Sequence, residues 1–421
     1  LHPDAGAQAM TKLRIFYAAS GPGDLLESHR RWKAGEHNPT EVARTFSGQI
    51  EDFCRDVGAD AYFVSTHPRI DRLEDPPFVF EHRPKRARRG LAHHLGEVAY
   101  GLGLLKTALR FRADIALIDS GATHSFMLSL FRFCGIRVVP ILHNTLWPNG
   151  FPPRRPIPRL VLLLDSLFWK RGPTAVIAVS PECERQVHAI AADLAYPILQ
   201  TRAQFRPEYF ARIKQPPSHE RRPFRIMFIG RIVRSKGVFD ILEIAARLRD
   251  SHPGLVHWDI CGTGHDFEEL RSRHAELALE GVVSLRGWTS LDDLITVYDE
   301  AHAAIVPTRS SFTEGLAMTA AEAVLAGRPV ITNPVVPALE ILRPACVAAV
   351  TDDSDSHLQA VLQLATDGTL HRSLCAACPR LSEQFYDQSL GLAAVLKRAL
   401  SLGTAAPVSE QAKGLGSAPP A

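Results

Sequence analysis

Two glutamates eight residues apart, Glu314 and Glu322, bracket the run Glu314-Gly-Leu-Ala-Met-Thr-Ala-Ala-Glu322. Read as helix at about 1.5 Å per residue, the run sets its carboxylates roughly 12 Å apart. That is too far for an acid and a base acting on one glycosidic bond. It suits one carboxylate on a sugar and the other on the ribose of one elongated ligand. Glu314 and Gly315 fall in the loop after Val306-Pro307, so the backbone N–H groups of Leu316 and Ala317 open the helix. A helix N-terminus is a natural seat for a diphosphate. The plain alternative is two solvated glutamates on a helix surface.

Basic residues stand at a second strand-to-helix junction. Phe228-Ile-Gly230-Arg231 ends an apolar strand pattern, and Ser235-Lys236-Gly237 opens the next helical one. Arg can grip phosphate oxygens bidentately, and Lys adds a point charge. Arg231 and Lys236 could therefore neutralise a departing diphosphate, the charge that develops when a sugar leaves it. In the first half, Val138-Val-Pro-Ile-Leu-His143 puts an imidazole at a strand's carboxyl end, where it could bond a sugar hydroxyl. Gly21-Pro-Gly23-Asp24 follows the first strand, and Gly262-Thr-Gly264 another. Asp119 could face a cleft or cap the following helix.

Short apolar runs alternate with helical patterns from Leu13 onward, the signature of βαβ units and parallel sheets. Strands are expected at 13–19, 61–65, 115–119, 137–142 and 175–180, then at 224–229, 256–261, 282–285, 303–306 and 329–332. Asn38 is expected to cap a first helix that continues through Pro39 and Glu41 and ends at Gly58, after a long polar loop over 21–37. Further helices are expected at 238–249, 266–279, 291–301 and 316–326. The stretch Gln215-Pro-Pro-Ser-His-Glu-Arg-Arg-Pro223 has linker composition. The expected organisation is an α/β chain of two Rossmann-like, doubly wound domains, 11–214 and 224–386, facing across a cleft. A final helix over 387–402 and a disordered tail over 403–421 complete it.

From Phe224 to Thr332 the chain resembles the nucleotide-binding domain of GT-B, family 4 retaining glycosyltransferases. The resemblance rests on Gly230-Arg231, Ser235-Lys-Gly237, Gly262-Thr-Gly264, Gly287-Trp288, Glu314 to Glu322, and Ala326-Gly-Arg-Pro-Val-Ile331, in that order. It implies that Arg231 and Lys236 bind the donor diphosphate, that Glu314 meets the donor sugar, and that Glu322 holds the ribose. His143 would then approach the reacting sugar, and Gly23 the donor phosphate or the acceptor. The donor is a nucleotide-diphosphate sugar, the acceptor a saccharide or lipid-linked hydroxyl, and no metal or other cofactor is implied. Two segments depart from the family pattern: Asn333-Pro-Val-Val-Pro-Ala-Leu-Glu340 and Gln200-Thr-Arg-Ala-Gln-Phe205. Other readings are a second GT-B activity, such as nucleotide-sugar epimerisation, and a non-catalytic binding protein on the same fold.

Composition agrees with a globular chain: of 421 residues, 46% are hydrophobic and 22% charged, with a net charge of only +3. That balance excludes a general nucleic-acid binder. Seven scattered cysteines read as reduced thiols, and the Cys375/Cys378 pair lacks a second pair at zinc spacing. The longest apolar run, Leu160 to Phe168, contains Asp165 and is too short to span a membrane. With no leader pattern at the start, and Met10 the expected initiator, the expected location is cytoplasmic. Arg83, Lys85, Arg86, Arg88 and Arg89, before a Leu-rich helix, suit peripheral contact with anionic headgroups at the inner membrane face, as does the Arg-rich, apolar stretch from Arg154. The plain alternative is a solvated basic loop before a core helix.

Overall fold

The computed structural model describes residues 12–38, 40–86 and 88–402. Met10, Pro39 and the tail 403–421, each given a role above, lie outside the described residues.

Two sheets organise the chain. The first contains β1 (Arg14–Ala18), β2 (Asp60–Ser65), β3 (Asp71–Asp75), β4 (Phe78–His82), β5 (Ile115–Asp119), β6 (Arg137–Leu142), β7 (Val176–Ala178) and β8 (Ile198–Gln200). The second contains β9 (Phe224–Ile229), β10 (Val256–Cys261), β11 (Val283–Gly287), β12 (Ala303–Val306), β13 (Val330–Thr332) and β14 (Cys346–Ala348). Their orders are β3-β4-β2-β1-β5-β6-β7-β8 and β11-β10-β9-β12-β13-β14. Every pairing is parallel except β3 with β4. In each sheet the strand order reverses beside the first strand, between β1 and β5 and between β9 and β12. Ligands of such sheets sit beyond the carboxyl ends at that reversal. Central strands are buried on both faces, which is why β5 reads Ile-Ala-Leu-Ile-Asp without alternation.

The expected helix from Asn38 is the main correction. The helix runs over Phe46–Asp56, and the Thr45 side chain caps it by accepting from the Gly48 N–H at 3.1 Å. Residues 42–44 are extended instead. Ala43 bridges Phe205, the Arg44 N–H donates to the Gln204 carbonyl at 2.7 Å, and the Arg206 N–H to the Val42 carbonyl. This pairing with a segment distant in sequence outweighs a local helix start. The Asn38 side chain accepts from Thr40 and caps no helix. The expected loop over 21–37 contains a helix, Leu25–Ala34, begun by Asp24 and closed by Gly35. Between Leu26 and Trp32 it is entirely polar, so its apolar signal is weak. Strands β3, β4, β8 and β14 also escape the sequence reading: β3, β8 and β14 are sheet edges, and β4 lies next to the edge strand β3.

The helix Leu392–Leu402 crosses back to the first sheet. Leu392, Val395 and Leu396 are buried in the same cluster as Ile50, Phe53 and Ile177. The Leu392 N–H donates to Gln49, and Lys397 pairs with Asp56.

Candidate active-site cleft

The second sheet's wall begins at the ends of β9, β10 and β12. The Gly230 N–H donates to the Cys261 carbonyl at 3.0 Å. Gly262 has φ of +137°, and a Cβ there would lie 1.8 Å from the Gly230 carbonyl oxygen, so only glycine fits this junction. Lys236 reaches from its turn to form an ion pair with the Glu314 carboxylate, which also accepts from Thr308 at 3.3 Å. Beneath both cations lies the ring of Phe312, 4.3 Å from the Lys236 ammonium and 5.7 Å from the Arg231 guanidinium. Arg231 itself is exposed.

The helix carrying the second glutamate begins at Met318, two residues later than expected. Ala317 sits ahead of it with φ of +71°, a conformation that costs a residue with a side chain about 1–3 kcal/mol. The Ala338 N–H holds the Leu316 carbonyl, and Thr319 ties the helix start to the Ile229 carbonyl at 2.9 Å. The run from Glu314 to Ala317 is therefore a fixed turn, and a helical rise does not describe the full spacing to Glu322. Glu322 accepts from the Tyr298 hydroxyl at 3.3 Å. Burial pushes its carboxyl up to about 7, and the charge of Glu41, from the first half of the chain, acts in the same direction.

The first sheet supplies the opposing wall. Asp119, at the end of β5, accepts from the Tyr17 hydroxyl at 2.9 Å and the Ser20 N–H at 3.3 Å. Its other oxygen lies 2.6 Å from Nε2 of His143. The His143 ring packs on Phe46 at 4.3 Å, and the backbone N–H groups of His143 and Asn144 both donate to Ser120 Oγ. Burial pushes the Tyr17 phenol well above its ordinary range, keeping it a neutral donor to Asp119.

The walls meet at one tight point. A Cβ on Gly315 would lie 1.6 Å from the His143 carbonyl oxygen, so the two backbones touch there. Arg185 pairs with Glu340, and Asn149 donates to the Pro334 carbonyl at 2.9 Å. A cleft of roughly 750 Å³ opens beside this contact, lined by Gly23, Asp119, His143 and the run from Glu314 to Met318, with Glu41 and Arg44 farther out. Of the residues singled out by sequence, Glu314, Gly315, Leu316, Ala317, His143 and Gly23 thus share one cavity. Lys236 joins it through Glu314, and Arg231 through the shared Phe312. Gly230, Gly262 and Glu322 lie outside this cavity's lining. A Cβ placed on Gly23 would meet nothing within 4 Å, so the space there does not demand glycine.

Sequence reading misses Thr308, Phe312, Tyr17, Phe46 and Glu41, and leaves Asp119 ambiguous. None carries a local signal, because each becomes relevant only where separate loops converge. The Cys375/Cys378 pair lies on the helix Gly368–Ser382, where burial raises both thiols, to about 11 and about 12. Among the described residues no cluster of three or more His, Cys, Asp or Glu could hold a metal ion.

Two facing parallel-sheet units with a cleft between their strand ends define the GT-B fold of glycosyltransferases. Comparison with known proteins agrees. Residues 210–377 match the family model described as glycosyl transferases group 1. The chain is 29% identical over 111 residues to a glycogen synthase of Mycobacterium tuberculosis, covering 26% of each chain. It is 33% identical over 120 residues to a D-inositol 3-phosphate glycosyltransferase of Corynebacterium jeikeium, covering 26% of this chain and 28% of that one. These matches thus span about a quarter of the relatives' length. Among solved structures, a sucrose-phosphate synthase from Thermosynechococcus elongatus superposes with a TM-score of 0.65 at 14% identity, over 93% of this chain and 98% of that one. Anabaena HepE in complex with UDP gives 0.63 at 14% identity, over 93% and 99%.

Proposed function

We propose that the protein is a retaining glycosyltransferase that moves a hexosyl unit from a nucleotide-diphosphate sugar to an acceptor hydroxyl. The observation carrying this reading is the Lys236–Glu314 pair at the strand-order reversal, set beside Arg231 and against the cleft that His143 shares. In this reading the diphosphate lies over the Gly230 and Gly262 junction. Arg231 and Lys236 then meet the negative charge that grows as the bond from the anomeric carbon to phosphate breaks. Freed from Lys236 by the ligand, Glu314 turns to the sugar, where the amides of Leu316 and Ala317 adjoin it. Glu322 takes the ribose hydroxyls. His143, held by Asp119 and Phe46, bonds a sugar hydroxyl from the opposite wall.

The match of residues 210–377 to the glycosyl transferases group 1 model supports transfer chemistry, and the UDP held by HepE supports a nucleotide donor. Family 4 membership, retention of anomeric configuration and a polysaccharide or lipid-linked acceptor extend that reading. Calorimetric titration with UDP, GDP, ADP and dTDP tests it. One nucleotide should bind saturably to wild type and much more weakly to Lys236→Ala; no binding by any of the four refutes the donor site. For the basic segment, Arg83 and Lys85 are already engaged, Arg83 with Glu81 and Lys85 with Glu97. Only Arg86, Arg88 and Arg89 are left exposed for an anionic surface.

A further inference from the structure

Residues 83–172 contain fifteen Lys and Arg against four Asp and Glu, a net +11 within a chain whose total is +3. Three of the four acids, Glu97, Asp119 and Asp165, are buried, so the outer surface here is almost purely cationic. The same region is apolar. Of the sixteen large hydrophobic side chains exposed among the described residues, twelve fall between Leu91 and Leu167. Isolated exposed leucines need no explanation, but a concentration this strong does.

These side chains share one layer. The helices Leu91–Phe111, Leu128–Phe133 and Pro156–Arg171 pack side by side on one face of the first sheet. On Pro156–Arg171, Ile157, Leu160, Leu163, Leu164 and Leu167 are exposed. At about 100° per residue they occupy an arc of roughly 120°, opposite the buried Ser166 and Trp169. On the long helix, exposed Leu91, Leu95, Leu102 and Leu109 form a straight stripe, and between the two stands Phe133, 90% exposed. Arg154, Arg155 and Arg159 flank the leucine face, are exposed, and have no acidic partner among the described residues. Arg154 and Arg159 also line an open pocket of about 540 Å³ with Trp147, Leu162 and Leu163. No described helix is long and apolar enough to cross a membrane.

We propose that the outer face of these three helices is a docking surface for an anionic lipid bilayer. Pro156–Arg171 lies in the headgroup layer, leucines inward, with Arg154 and Arg159 gripping a lipid phosphate. An apolar arc bordered by unpaired arginines is the pattern an interfacial helix requires. A purely protein partner would have to supply an acidic surface and a greasy groove together, whereas an anionic bilayer offers both. The segment from His143 to Arg155 joins this face directly to the cleft. Lipid docking is independent of the donor reading, and its test uses no nucleotide.

The test is co-sedimentation of the full chain with vesicles of phosphatidylcholine, alone or doped with phosphatidylglycerol. Binding is expected to the doped vesicles and to weaken steeply with salt. At about fivefold per basic residue, replacing Arg154, Arg155 and Arg159 together by Ala should weaken binding about a hundredfold at low salt. Leu160→Ser with Leu163→Ser and Leu167→Ser should abolish the binding that survives at high salt. Both variants should keep the wild-type circular dichroism spectrum. Equal binding to both vesicle types, no binding to either, or indifference to both variants overturns the proposal. So does a dimer in sedimentation velocity that the serine variant dissolves while vesicles recover no protein.

Discussion

Gly315, on the second wall of the cleft, leaves 1.6 Å between a would-be Cβ and the His143 carbonyl oxygen, whereas Gly23 on the first wall has open space around it. The difference runs through the whole site. The second wall is made of turns that immediately follow their strands: Gly230-Arg231 after β9, Gly262 after β10, and the Glu314 loop after β12. Their spacing is dictated by backbone close approach, so residue type is specified by local sterics. The first wall is made of side chains from β1, β5, the residue that follows β6, and the helix Phe46–Asp56, leaning on one another. Tyr17, Asp119, His143 and Phe46 are 17th to 143rd in the chain, and no motif spacing connects them. In the proposed reading the nucleotide diphosphate lies on the rigid wall, which backbone contacts shape, and His143 of the assembled wall meets the sugar.

The contrast between the walls is tested most severely at Lys236. Lys236→Ala should lower turnover about 10²- to 10³-fold, the usual effect of removing one stabiliser of developing charge. Its thermal unfolding midpoint should also fall, since the substitution leaves the buried Glu314 carboxylate without its cation. Next is Gly315→Ala, whose new methyl group cannot coexist with the His143 backbone. The walls must part, and kcat/KM should fall about a hundredfold, the scale of a 1 Å misplacement. Small-angle scattering should show the accompanying expansion.

A smaller effect separates the two glutamates. With its carboxyl raised to about 7, Glu322 is half protonated near neutrality. A ribose hydroxyl donating to it favours the ionised form, so nucleotide affinity should rise with pH, by about tenfold from pH 6 to pH 8. The sign follows from the raised value: ligand binding expels a proton, and expulsion becomes easier as pH increases. Glu322→Gln should remove this component, isolating it from ionisation of the nucleotide's own phosphate. Smallest of all is Gly23→Ala, which should change kcat/KM by less than about twofold, because the added methyl meets nothing and the backbone is not in the left-handed region. A large loss there would mean that the ligand itself packs on that backbone.

Legibility in the sequence divides along the same line. β9, β10 and β12 coincide with their expected bounds, as do β5 and β6, because a strand buried on both faces is a continuous apolar run closed by turn residues. Arg231, Lys236 and Glu314 stand out in the sequence because each lies in the turn or loop after such a strand, and the fold brings Lys236 and Glu314 together. Local reading fails where a distant segment decides the outcome. Pro39 to Arg44 has every local mark of a helix start, yet the chain around Phe205 pairs with Val42 to Arg44 in extended form. The polar helix Leu25–Ala34 is held by Asp24 and by burial of Leu25, Leu26 and His29, not by an apolar period.

Local chemistry along the chain was enough to specify the central parallel strands of both sheets and the cationic, glycine-shaped edge of the second, because hydrophobic runs and steric turn requirements act over a few residues. Other features belong to the packed molecule alone: Lys236 meets Glu314, His143 is held by Asp119 and Phe46, and the last helix returns to the first sheet. Packing also collects the leucines of three helices into one cationic face. Each of these depends on groups separated by tens to hundreds of residues, whose meeting is set by how layers stack and not by any local preference.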